Sequence, residues 1–193
     1  MPVTVQPLTP ELLKDWLYFF DNIAFADNPD WSACYCTCYQ VNCSTKEWSV
    51  RTKEQNRDWA QQAIKDGMMR GYLAYEDEQP VGWCSVNRKK LYAPLIREKE
   101  LTPDAPDDGI VSVMCFVIAA THRGKGIARQ LLRQAMDDCS KENIPAMEAY
   151  PYKGELSPGD QFHGPLQLFL SEGFTVYRDF ERFVVVRKQF KAE

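Results

Sequence analysis

The chain has 193 residues, of which 45% are hydrophobic, 12% aromatic and 26% charged, a balance that fits one globular domain (residues 1–193) with a proper core and excludes a disordered or fibrous chain. A formal net charge of -4 argues against nucleic acid as a partner, because a phosphate backbone demands a basic face. No basic segment followed by an apolar run opens the sequence and no apolar run reaches spanning length, so no membrane contact is expected and the protein reads as cytoplasmic.

Residues 3–8 alternate weakly and read as a first strand. Thr9 then serves as an N-cap with Pro10 at the first helical position and Glu11 in the first turn. The helix runs to about Asp21 and turns Leu12, Leu13, Trp16, Phe19, Phe20 and Ile23 inward. A turn follows at Asn28-Pro29-Asp30. Residues 31–43 have the least ordinary composition: Cys34, Cys36 and Cys38 alternate, Cys43 follows, and Tyr35 and Tyr39 are interleaved. A metal site is one reading. Against it, residues two apart on a strand lie ~7 Å from each other, whereas sulfurs around one zinc stand ~4 Å apart, and no C-x-x-C knuckle is present. Thiols that are structural or line a substrate pocket are the preferred reading, with no metal, and all seven cysteines are expected to be reduced.

Ser44-Thr45-Lys46-Glu47 is a capping box, from which one helix is expected through Asp66, stopped by Gly67. Its apolar positions, Trp48, Trp59, Ala63 and Ile64, are sparse, which predicts a surface helix. Residues 71–76 and 80–88 read as a hairpin across Asp77-Glu78-Gln79. Arg88-Lys89-Lys90 reads as a solvated basic loop, with contact to a coenzyme's ribose phosphate as the alternative. Residues 91–108 hold three prolines and no period, a long loop of the kind that lines sites.

The most informative stretch is residues 111–143. An apolar, β-branched run over 111–120 predicts a buried strand. From Ile127 the apolar residues recur at Leu131, Leu132, Ala135, Met136 and Cys139, the period of an amphipathic helix. Between them stands Arg123-Gly124-Lys125-Gly126-Ile127-Ala128. Two glycines allow a tight turn that points several N–H groups one way, and the first N–H groups of a helix lack partners inside it. The helix dipole and the charges of Arg123, Lys125 and Arg129 make a phosphate the expected guest. A Walker loop is excluded because Gly126, not a hydroxyl residue, follows Lys125. A dinucleotide fingerprint is excluded because Arg129 stands where its third small residue belongs.

Residues 144–150 read as another buried strand and 152–164 as a loop. Pro165 starts a short helix through Phe169 and Leu170 that ends at Gly173. Residues 175–180 and 182–188 close the chain as two strands.

The central motif resembles that of the GNAT family of N-acetyltransferases: Arg or Gln, two residues, Gly, one residue, then Gly or Ala, with Arg123, Gly126 and Ala128 in those places. The order of elements resembles the family over nearly the whole chain, and Leu168-Phe169 with Gly173-Phe174 resembles its later helix motif. The resemblance implies an α/β (α+β) fold, with a mixed, mostly antiparallel central sheet splayed at the central strand and about four flanking helices. It implies acetyl-CoA as co-substrate, with its pantetheine along Phe116, Val117 and Ile118 and its pyrophosphate on the amides of Arg123, Gly124, Lys125, Gly126, Ile127 and Ala128. It places the cysteine-rich loop near the acceptor, taken here as a small-molecule primary amine. A non-catalytic acyl-CoA-binding protein on the same fold is the alternative, and the edge strands near the C terminus could pair in a homodimer.

The catalytic residues depart from the family pattern. Phe169 occupies the place of the tyrosine that in many members protonates the departing thiolate, and Ser112 stands near the place of a glutamate base. Under strand alternation Ala146, Glu148 and Tyr150 share a face. A buried carboxylate needs a purpose or a partner, so Glu148 is a candidate base with Tyr150 or Tyr152 as acid. The alternative pairs Glu148 with an arginine and leaves Tyr150 packed. His163 is a further candidate base, and Cys115, of opposite parity to Ser112, is expected in the core.

Overall fold

The computed structural model describes residues 2–92, 109–157 and 161–190. The first strand, β1 (Thr4–Pro7), leads through a 3-10 turn at Pro10–Leu12 into α1 (Leu13–Asn22). That helix buries Trp16, Phe19 and Phe20, as its apolar spacing requires. The expected capping box at Ser44 and Glu47 is present. Yet the helix it opens, α2, ends after Thr45–Ser49, and a second capping box, Thr52 with Gln55, starts α3 (Lys53–Lys65). One long helix is thus corrected to two. The second box satisfies donors that an unbroken helix would have bonded internally. Nor is α3 merely a surface helix, since it buries Asn56, Ala60, Ala63 and Ile64.

Strands β2 (Gly71–Glu76) and β3 (Gln79–Arg88) form the expected hairpin. Its two-residue turn places Asp77 and Glu78 at φ 52° and 63°, the left-handed pair that matches strand twist. Then come β4 (Val111–Ile118), α4 (Ile127–Lys141), β5 (Ala146–Ala149), α5 (Leu166–Ser171), β6 (Thr175–Asp179) and β7 (Val184–Gln189). The sheet order is β1-β2-β3-β4-β5-β7-β6, and every neighbouring pair is antiparallel except β4 with β5. On one face, Trp16 of α1 meets Trp83 of β3 edge-on at 5.9 Å. On the other, α4 lies so close to β3 that a Cβ at Gly82 would come 3.0 Å from Ile127 Cγ2. Among the described residues no helix is long and apolar enough to cross a membrane.

Two irregularities of β4 shape the middle of the sheet. The strand pairs with β5 only from Val111↔Met147 to Val113↔Ala149, then continues to Ile118 beside β3 alone. The sheet therefore opens at β4. The gap is bridged by the segment before α5, where Phe116 N–H donates to Phe162 O at 2.6 Å and His163 Nδ1 donates to Met114 O at 2.6 Å. The second irregularity is a bulge: Ser85 pairs with Cys115 but Val86 pairs with Val113, leaving Met114 over. An extra residue reverses the alternation of faces. Cys115 is buried, as expected, but it thereby turns to the wall of a cavity, a side that strict parity denied it.

Candidate functional site

A cavity of about 1110 Å³ runs from the start of α4, along the open edge of β4, to the loop after α1. Of the residues expected to hold a coenzyme, Phe116, Val117, Ile118, Arg123, Gly124, Gly126, Ile127 and Ala128 line it. Lys125 does not; its side chain is exposed. Gly124 and Gly126 sit at φ 75° and 79°, so the backbone before α4 turns as the two glycines require. A Cβ at either would meet nothing within 4 Å, which leaves open space over the helix N-terminus. The N–H groups there are those a helix cannot satisfy internally, and they favour an anion.

Two of the positive side chains around this nest, Arg123 and Arg129, are committed elsewhere. Arg123 donates through Nη2 to Asp27 Oδ1 at 3.0 Å, forms a second bond to Asp27 Oδ2, and donates through Nε to Ile118 O at 3.2 Å. That guanidinium holds the Asp27 carboxyl below the usual carboxylate range. Arg129 pairs with Glu172 Oε1 at 3.0 Å and donates to Ser171 Oγ at 3.1 Å. Arg123 thus fastens the loop after α1 to the start of α4. Attraction for a phosphate rests on the amides, the helix dipole and the exposed Lys125, since the two arginines expected from the sequence are already paired.

At the far end of the cavity the cysteine loop is a series of turns, with Cys34 N–H bonded to Trp31 O and Thr37 N–H to Cys34 O. Its Cys-x-Cys-x-Cys alternation is therefore not that of a strand. Tyr35 and Cys36 both adopt left-handed backbone, φ 44° and 51°. Tyr35 is held there by its hydroxyl, which donates to Asp21 Oδ1 at 2.6 Å. No cluster of three or more metal-binding side chains occurs among the described residues. Trp31 meets Phe162 edge-on at 5.2 Å, and both residues line the cavity.

Tyr39 is the tyrosine that lines this cavity. Its Oη lies 3.0 Å from His163 Nε2. Burial pushes the His163 pKa down to about 4, so the ring is neutral at pH 7. Burial likewise pushes the Tyr39 phenol well above its ordinary value. Tyr152 packs edge-on against the His163 ring at 4.9 Å. Sequence reasoning does not single out Tyr39 as a site residue, because only contact with His163, 124 positions away, distinguishes it from a packed aromatic.

Glu148 and Tyr150 do not line the cavity. Glu148 is fully buried. Its Oε1 accepts from Arg187 Nε at 2.8 Å, and its Oε2 accepts from Lys89 Nζ at 2.9 Å and Tyr150 Oη at 3.0 Å. Because the Tyr150 proton goes to Glu148, Ser112 donates to Tyr150 Oη at 2.8 Å. Burial, followed by the Glu148 charge, raises the Tyr150 phenol well above its ordinary value. This is the ion-paired alternative in place of a base open to an acceptor. Lys89, expected in solvent or on a coenzyme, is buried as part of it. Phe169 is also buried, between Phe116 at 6.2 Å and Phe174 at 5.4 Å.

Comparison with solved structures finds the same fold widely. An N-acetyltransferase from Staphylococcus aureus Mu50 is 12% identical at a TM-score of 0.58, covering 99% of this chain and 100% of that one. PaiA N-acetyltransferase from Thermoplasma acidophilum, crystallised in complex with coenzyme A, is 15% identical at 0.56, covering 98% and 100%. Ribosomal-protein-alanine N-acetyltransferase from Brucella melitensis is 16% identical at 0.55, covering 97% and 99%. A search of curated proteins by sequence gives no significant match. Identities this low carry the fold alone. A family model, however, matches residues 29–154, well over half of the chain, and those residues include the open edge of β4 and the nest before α4. On that match the chain belongs to the acetyltransferase (GNAT) family, whose reaction is acetyl transfer.

Proposed function

We propose that this protein is an acetyl-CoA-dependent N-acetyltransferase acting on the primary amine of a small molecule. The observation that carries the reading is that one cavity joins the nest at Gly124 and Gly126, the open edge of β4 and the loop bearing Tyr39. The site fits a coenzyme with a pyrophosphate: a left-handed double-glycine turn leaves space that any side chain would fill. Bound there, acetyl-CoA supplies an activated acyl carbon. Gly124 to Ala128 would hold the phosphates, and Phe116 to Ile118 would lie along the arm. Phe116 N–H is already bonded to Phe162 O and Ile118 O accepts from Arg123 Nε, so the carbonyl of Phe116 and the N–H of Ile118 are the groups of this edge that would serve.

The acceptor end is built around Tyr39. Its proton is given to His163, so the phenol oxygen presents a lone pair to an amine N–H. Tyr39 therefore orients the amine through its oxygen. The contact of Trp31 with Phe162 in the cavity wall favours a small acceptor over a folded protein surface. Calorimetric titration with acetyl-CoA, followed by a panel of amines with detection of released CoA thiol, tests the reading. Binding with turnover on a small amine supports it. Binding with no turnover on any amine makes the chain an acyl-CoA-binding module. No binding by the folded chain removes the coenzyme assignment.

A further inference from the structure

Of the arginines that line the cavity, Arg123 is paired with Asp27 and Arg129 with Glu172. Arg51 differs. Its side chain bonds to Asn56 and Gln55, and among the described residues no carboxylate stands within ion-pair range of it. Asp30, the acidic residue in the same wall, is exposed and lies outside that range. Arg51 follows the C-cap of α2 and precedes the Thr52 N-cap of α3, so the break between the two helices decides where it sits.

The guanidinium is held in one direction. Nε donates to Asn56 Oδ1 at 2.6 Å and Nη2 donates to the Gln55 carbonyl at 3.3 Å. Asn56 is 2% exposed, and its amide donates in turn to Ala33 O at 2.8 Å, beside Cys34 in the loop that bears Tyr39. A buried asparagine thus uses both ends of its amide to fix one arginine and tie it to the acceptor loop. Both N–H groups of Nη1 and one of Nη2 are left without an acceptor among the described residues. The side chain is half-buried, so it has given up part of its water, and an anion in the cavity would restore what it lost. The parallel N–H groups of a guanidinium match the two oxygens of a carboxylate. One unpaired cation also balances the single charge of a carboxylate, and not the nearly double charge of a phosphate monoester.

We infer that Arg51 holds a carboxylate of the acceptor, which makes the acceptor an amino acid in the broad sense, with its amine at Tyr39 and its carboxylate at Arg51. The inference rests on the acetyl-CoA reading of the site and names the substrate class within it. Because both side chains are tied to one loop, the fold sets the span between them and so selects the number of bonds between amine and carboxylate.

The test measures CoA thiol released from acetyl-CoA by the full chain with amino acids whose amine stands α, β, γ or δ to the carboxylate, each beside its own carboxamide, and with O-phosphoethanolamine. A carboxylate holds its amine protonated more firmly than a carboxamide does, so without recognition the amide is the better acceptor. The expected result is the reverse: at least one acid exceeds its amide in kcat/KM by about tenfold or more, the effect of one charge-assisted pair. In Arg51→Gln that ratio should fall by a similar factor, with the loss in KM for the acid, because the guanidinium grips the carboxylate equally before and during transfer. A purely structural role would lower acid and amide together and leave the ratio unchanged, which overturns the inference. A wild-type chain that binds acetyl-CoA but acetylates no acid faster than its amide also overturns it, and this comparison decides even where Arg51→Gln does not fold. So does a preference for O-phosphoethanolamine over every acid, or loss of acetyl-CoA affinity by folded Arg51→Gln in calorimetry, which would put the guanidinium on the coenzyme. Each of these leaves the coenzyme reading standing. Absence of acetyl-CoA binding by the folded wild type overturns both.

Discussion

Tyr39 Oη stands 3.0 Å from His163 Nε2, while the other nitrogen of the same ring donates to the Met114 carbonyl at 2.6 Å. One bond fixes the tautomer and the other fixes the phenol. A loop after α1 and a segment before α5 are thereby joined through a single imidazole. Tyr39→Phe removes the oxygen offered to the amine without emptying the space. Turnover should fall by about 10²-fold, the lower end of what a positioned proton-handling group supplies, with acetyl-CoA affinity little changed. Steady-state kinetics and calorimetry on the same preparation check both halves; an unchanged kcat would take Tyr39 out of the acceptor site.

The same ring makes stability depend on pH. Its folded pKa of about 4 lies below the 6.5 of a free imidazole, so the unfolded chain binds the additional proton first. The neutral ring's contribution is fully present above pH 6.5 and is lost progressively as pH falls toward 4. A shift of this size corresponds to roughly 3 kcal/mol at the acid end. His163→Asn keeps a donor for Met114 O but cannot titrate. Denaturant unfolding across this window should show a shallower loss for the variant than for wild type, whatever its starting stability. Parallel curves would mean that the ring is not held neutral.

The features legible in the chain are those that lie close along it. The run over β4, the Arg123 to Ala128 turn and the period of α4 are contiguous, and local physics sets all three. The break between α2 and α3 is also written locally, in Thr52 and Gln55, but the apolar spacing gives no sign of it. The pairing of Lys89, Glu148 and Arg187 is different in kind. It exists because the end of β3 and strands β5 and β7 converge in the sheet, and no residue near Glu148 encodes that. The place of Cys115 on the cavity wall is hidden for a subtler reason: a single extra residue at Met114 inverts every parity argument along β4.

The nest before α4 calls for a variant that separates charge from backbone strain. At φ 79° most side chains strain the turn at Gly126, whereas Asn and Asp tolerate left-handed backbone better than others and match in shape. Gly126→Asn and Gly126→Asp differ in a charge facing the helix N-terminus. If the amides hold a pyrophosphate, the Asp variant should bind acetyl-CoA at least about tenfold more weakly than the Asn variant, the effect of ~1.4 kcal/mol of repulsion. Circular dichroism and melting should agree between the two. Equal affinities would move the phosphate site away from this turn.

Glu148 separates a structural from a chemical role by the response to loss of charge. Glu148→Gln leaves Lys89 and Arg187 facing one another with no anion between them, and both are held against a fully buried side chain. Breaking a buried pair by removing one partner costs about 3–5 kcal/mol. Arg187 also lies over the Tyr177 ring at 3.5 Å, a contact that limits how far it can swing toward solvent. The expected result is a large drop in unfolding stability with the pH dependence of turnover unchanged in shape, measured below the variant's melting temperature. A variant of wild-type stability that loses the alkaline-rising limb of its rate profile would make Glu148 the base after all. The geometry favours the first outcome, because both carboxylate oxygens are occupied and Glu148 does not line the cavity.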